Sequence, residues 1–178
     1  AFDVVGRECR GVRDHLGIAD LTAFAKFEVI GADAATLLDR LSANRLPAAE
    51  GGIRLVHMLT GLGGIECEMT ITRLADDRFY LNSALVGRTH DQDWLVNHIE
   101  RGESVTVTDV TDQRAILAVT GPVAREVLGP LADADLHAVE PADSGRLDDG
   151  DVGARGAVRR AVAARARVGR AASCCGAT

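Results

Sequence analysis

Glu66 and Glu68 stand two residues apart in the run Ile65-Glu66-Cys67-Glu68-Met69-Thr70-Ile71, where polar and apolar residues alternate. On a strand this alternation sends Glu66, Glu68, Thr70 and Thr72 to one face and Ile65, Cys67, Met69 and Ile71 to the other. Two carboxylates held side by side repel, which favours a proton on one and leaves the other free to act as a base or to anchor a protonated nitrogen. The same pattern also describes the solvated face of an ordinary strand. His57, in the preceding apolar run, can join the pair as an acid or a metal ligand. One histidine and two glutamates are too few for a metal site, and none is assigned.

Other chemistry finds less support. Gly61-Leu62-Gly63-Gly64 lacks the Lys-Ser/Thr and the following helix of a phosphate loop, and reads as a turn between strands. There is no Gly-x-Ser-x-Gly elbow, and spacing supports no Cys/His pair. Of the four cysteines, Cys9 and Cys67 are isolated and Cys174-Cys175 are adjacent, which matches neither a disulfide framework nor a zinc motif. The expected setting is reducing and cytoplasmic, with Cys9 and Cys67 as small buried hydrophobes.

The elements that would position Glu66 and Glu68 follow from periodicity. Ile53–Leu59 and Ile65–Leu74 read as strands flanking the glycine turn, and Phe79–Leu81 as a third. Val5, Cys9, Val12 and Leu16 form one stripe of a helix that Gly17 stops, Ala25–Val29 alternates into a strand, and Leu37, Leu38 and Leu41 mark a helical face over Ala34–Leu41. Thr89 is placed to cap a helix running to Ile99, with Trp94 anchoring it in the core. Two further strands, Val105–Val110 and Ala115–Val119, precede a helix over Val123–Leu128 behind Gly121-Pro122. Mixed strands in hairpins with interspersed helices give an α+β architecture.

Composition sets the outer bounds. The chain has 178 residues and a net charge of −6. The acidity is concentrated before Pro141, and the stretch after it is basic and rich in Ala, Arg and Gly. An acidic body repels phosphate backbones, so nucleic acid is not an expected partner. No apolar run reaches the roughly 18–20 residues of a membrane span, and no membrane association is expected. The start lacks the charged and apolar segments of a signal peptide and has no initiator Met, which suggests a piece of a longer chain.

Several ordered motifs then point one way. The run from Asp20 to Val29, with Ala43-Asn44-Arg45-Leu46-Pro47, His57-Met58-Leu59 and Gly63-Gly64-Ile65-Glu66-Cys67, is followed by Thr70-Ile71-Thr72-Arg73-Leu74, Arg78-Phe79-Tyr80-Leu81, Thr89-His90-Asp91-Gln92-Asp93-Trp94 and Gly121-Pro122. Over about residues 1–136 this series resembles the folate-binding, glycine cleavage T-protein (aminomethyltransferase)-like region of dimethylglycine and sarcosine dehydrogenases. The resemblance implies the N-terminal part of the T-protein fold, incomplete, and a tetrahydrofolate-dependent transfer of a methylene or aminomethyl unit from a small amine donor. In the family FAD belongs to a separate flavin domain, and aminomethyltransferase itself takes its carbon from a lipoyl carrier protein; either is an implied partner. The family also implies an acidic residue, normally Asp, just before a hydrophobic residue of this strand. That position is Glu68, followed by Met69, so Glu68 is the implied catalytic residue, with Met58, Glu66, Glu68 and Tyr80 as implied folate-binding positions. An extra methylene moves the carboxylate by about one bond length, and misplacement of about 1 Å can cost a hundredfold in rate, so reduced efficiency is expected. A non-catalytic folate-binding or interaction domain is the alternative.

Residues 1–140 are thus expected to form a partial T-protein-like domain. The family's aromatic-Gly-Glu motif and later Arg do not appear where the Ala/Arg/Gly tail of 141–178 stands. This tail is expected to be disordered or to be the product of a shifted reading frame near residues 138–142.

Overall fold

A computed structural model of the protein describes residues 2–131, so the tail at 141–178 lies outside the described residues. Numbered in chain order, the elements are α1 (Phe2–Asp14), β1 (Gly17–Asp20), β2 (Ala25–Ile30), α2 (Ala34–Leu41), β3 (Ile53–Leu59), β4 (Ile65–Ala75), β5 (Arg78–Ser83), α3 (Arg88–Asn97), β6 (Thr106–Asp109), β7 (Leu117–Thr120) and α4 (Ala124–Leu128). The described residues divide into two units, residues 19–118 and residues 2–18 with 119–131. Helices beside antiparallel strands make the α+β class that the alternating patterns imply.

The 19–118 unit is built on a five-stranded antiparallel sheet in the order β3-β4-β5-β2-β6. Consecutive hairpins lay β3, β4 and β5 side by side, and the earlier β2 closes on β5 with Phe27 opposite Leu81. One sheet face carries Phe27, Val29, Val56, Met58, Met69, Ile71, Phe79 and Leu81, which pack with Leu37, Leu38 and Leu41 of α2 and Leu95 of α3. Fully burying each such side chain is worth about 1.5–3 kcal/mol, and this layer is what fixes the register of β4.

β2 is buried on both faces. Ala25, Phe27 and Val29 enter the apolar layer, while Lys26 and Glu28 alternate onto the opposite face and are also shielded from solvent. Lys26 Nζ donates to the carbonyls of Thr22 at 2.7 Å and Phe24 at 2.8 Å. Glu28 accepts from the guanidinium groups of Arg78 and Arg114. Behind β2 the chain turns sharply at Gly31, whose φ of 146° suits glycine and whose missing Cβ would sit 1.9 Å from the Ser104 carbonyl oxygen.

In the other unit α1 ends at Asp14, and no α1 residue is buried. The helix thus ends before Leu16, short of the stop expected at Gly17, and Gly17 instead opens β1, a strand that the helical stripe does not reveal. A second correction concerns α3. It begins at Arg88 with Gly87 at its cap and no side-chain cap bond, so Thr89 lies inside the first turn and caps nothing. The reason is local: a 3-10 turn over Leu85–Gly87 runs directly into the helix. Trp94 packs at the margin of the core, and Leu95 is the α3 residue that enters it.

Candidate functional site

The β3–β4 hairpin positions the candidate residues. Thr60 closes its turn, taking the Gly63 amide on its carbonyl and the Gly64 amide on its hydroxyl, with Gly63 at a φ of 82°. From this turn the ladder pairs Leu59 with Ile65, then Met58 with Cys67, His57 with Glu68 and Val56 with Met69. Glu66 is skipped. It is the extra residue of a β-bulge, the device by which a strand re-aims one side chain.

Simple alternation therefore does not hold at the first glutamate, and the two carboxylates have different partners. Glu68 Oε2 lies 2.7 Å from Nε2 of His57, directly across the hairpin. Glu66 Oε1 lies 2.7 Å from Nε2 of His90 in the first turn of α3, and Nδ1 of the same ring is 3.0 Å from the carboxylate of Asp91. His90 thus bridges two carboxylates, and its pKa is raised by its hydrogen bond to Asp91 first and to Glu66 second. Asp91 is buried beneath Gly87, where a Cβ would meet the carboxylate at 2.8 Å. Neighbouring glutamates that sequence spacing suggests would repel are instead each matched to an imidazole.

Cys67 turns the other way, into the core, where burial pushes its thiol up to about 12. Met58 is also fully buried among core residues. Adjacent strand residues face opposite ways, so Met58 does not join Glu68, whereas its neighbour His57 does.

Tyr80 is on the Glu68 side of the sheet, since it pairs with Thr72 and Glu28. It stands four residues further along the face, a distance of roughly 13 Å at strand spacing. Its ring lies against the Arg114 guanidinium, 5.4 Å from the centroid, and burial is the main cause that raises its phenol pKa. Between Tyr80 and Glu68 come Thr70 and its partner Asn82, whose buried Oδ1 has no hydrogen-bond partner. The face from Glu68 to Tyr80 thus presents a carboxylate and a half-buried phenol, with the Asn82 amide oxygen buried between them. Surface depressions lined by Trp94, His98 and Glu100, and by Arg45, Pro47 and Arg73, contain none of these groups. Among the described residues no cluster of three or more His, Cys, Asp or Glu is arranged to hold a metal ion.

Sequence reasoning misses His90 and Asp91, which read as the polar side of an amphipathic helix. The available signal is their place in the first turn of α3, with Asp91 the one buried acid of that helix.

A five-stranded antiparallel sheet with helices over one face and a polar, carboxylate-bearing strand face on the other makes an α+β domain. The GCVT N-terminal domain family matches residues 1–156, and the chain belongs to that family. The match runs past the composition change at Pro141. Mitochondrial dimethylglycine dehydrogenase of Mus musculus is 36% identical over 136 residues, which are 76% of this chain and 16% of that protein. Sarcosine oxidase subunit alpha of Corynebacterium sp. (strain U-96) is 34% identical over 134 residues, 73% of this chain and 14% of that one. Among solved structures, glycine cleavage system aminomethyltransferase T from Bartonella henselae superposes with a TM-score of 0.63 at 27% identity, over 70% of this chain and 34% of that one. The chain thus spans about a sixth of the length of the dehydrogenase. Among the described residues no helix is long and apolar enough to cross a membrane.

Proposed function

We propose that this chain contributes the folate side of a one-carbon transfer, in which tetrahydrofolate accepts a methylene or aminomethyl unit and Glu68 is the acidic residue at the reacting nitrogen. The observation that carries the reading is the placement of Glu68: one carboxylate oxygen lies 2.7 Å from Nε2 of His57, and the side chain is 54% exposed on an open polar sheet face. Tetrahydrofolate supplies a secondary amine that adds to an electrophilic carbon. As that nitrogen forms its new bond it becomes cationic and sheds a proton; a fixed carboxylate stabilises the charge and takes the proton. The roughly 13 Å from Glu68 to Tyr80 suits an elongated ligand over a compact one. Glu66, tied to His90, forms the wall at one end.

The carbon donor in this reading is a small amine such as sarcosine or dimethylglycine, oxidised at a separate flavin domain that holds FAD, or an aminomethyl group on a lipoyl carrier protein. The setting is the cytoplasm, in keeping with the free Cys9 and Cys67, although the mouse relative is by name mitochondrial. Calorimetric titration of the chain with tetrahydrofolate, followed by methylene-tetrahydrofolate formation from formaldehyde, tests the proposal. Glu68→Gln is expected to lower the rate by about 10²- to 10⁴-fold. No heat of binding and no rate above the uncatalysed background in the wild type would sink it.

A second reading is a non-catalytic folate-binding or interaction domain, favoured by the position of Glu68 outside either depression. It predicts binding that survives Glu68→Gln, with no acceleration by either protein.

A further inference from the structure

We infer that His57 is a positioning residue for Glu68, and that the two form a unit matched in length across the β3–β4 hairpin; this rests on the role proposed for Glu68. Three observations converge. His57 and Glu68 are register partners, Nε2 lies 2.7 Å from Oε2, and Oε1 has no hydrogen-bond or ion-pair partner among the described residues. The backbone of His57 is itself clamped: its carbonyl accepts from Ala43 N at 2.8 Å, its amide donates to Asn44 Oδ1 at 3.3 Å, and Asn44 Nδ2 donates to the Leu55 carbonyl at 2.9 Å. Glu66, the other carboxylate nearby, is occupied by His90, so it does not compete for His57.

The consequence concerns side-chain length. A glutamate has three rotatable bonds and, unaided, presents its carboxylate in many places. A donor fixed to the neighbouring strand selects one of them. An aspartate at 68 would end about one bond length, ~1.5 Å, short of Nε2, beyond hydrogen-bond reach. In this chain the longer acid and the histidine belong together, and restoring the shorter acid alone undoes the arrangement.

Imidazole ¹⁵N spectra of the whole chain at pH 8 read the first half of the claim. His57 is expected in a single Nε2–H tautomer in the wild type and in a mixture in Glu68→Gln and Glu68→Asp. A mixture already present in the wild type overturns the inference whatever folate does. The second half is read in transfer from formaldehyde to tetrahydrofolate. His57→Leu is expected to lower the rate about tenfold or more, with folate affinity unchanged within about twofold. His57→Gln, which keeps an N–H donor near the position of Nε2, is expected to recover most of the loss, while Glu68→Asp falls as far as His57→Leu. The double variant His57→Leu/Glu68→Asp is expected to be no worse than either. Equal rates for wild type and His57→Leu, or additive losses in the double variant, overturn the inference while Glu68→Gln still reports on the parent reading. A wild type with a locked tautomer but no folate response refutes the parent reading, and the positioning role falls with it.

Discussion

His90 sits between two carboxylates that favour its protonated form, and that preference ties folding to pH. Its pKa in the folded chain is raised, through Asp91 and then Glu66, above the unfolded value of about 6.5. A raised pKa means that the folded state binds the proton more tightly. The contribution is fully present below pH ~6.5 and is lost as pH rises through the folded value. The difference in melting temperature between the wild type and His90→Gln is therefore expected to be greatest near pH 6 and to close toward pH 9. A gap that widens at high pH would contradict the assignment. Cys67 gives a second expectation at this scale. With its thiol pushed up to about 12 by burial, it should resist iodoacetamide in the folded chain at pH 8, while the exposed Cys9 reacts. Peptide mass mapping before and after denaturation reads the contrast. Glu66 marks a limit of sequence reading: alternation places Glu68 correctly, but a bulge is a property of the pairing between strands and has no signature in β4 alone.

Among the elements, α2 begins and ends where the leucine spacing puts it, and β3 and β4 flank the glycine turn as expected, because their apolar residues face a single layer of core. The elements that are hard to read have four residues and little buried surface. β1, at Gly17–Asp20, shows no alternation that a four-residue window can separate from a loop, and its pairing with β7 depends on residues about a hundred positions away. Thr89 looks like a cap because threonine commonly is one, yet the 3-10 turn before α3 supplies the entry without it. The turn between β2 and α2 is the tightest test of this framework. Gly31→Ala puts a methyl group 1.9 Å from the Ser104 carbonyl and strains the backbone at a φ of 146°. A loss on the order of 2–4 kcal/mol in urea unfolding is expected. A loss below about 0.5 kcal/mol would mean that the turn relaxes freely.

For the molecule as a whole, the sequence makes the fold class and the family legible because the motifs recur in order over most of the length. The chemistry is less legible, since it depends on which imidazole meets which carboxylate. His57 is visible as a neighbour of the acids, whereas His90 arrives from a helix some twenty residues on. The shielding of Lys26 has a further consequence. It is the only lysine in the chain, and its Nζ is fully enclosed beneath the Thr22 and Phe24 carbonyls. Every other cationic side chain is an arginine or a histidine, so the folded surface offers no lysine amine to an electrophile. Reductive methylation with formaldehyde and borohydride is expected to add mass at the amino terminus alone until the chain is unfolded, when Lys26 follows. A protein so equipped can work beside reactive aldehydes or iminium ions without accumulating adducts at lysine.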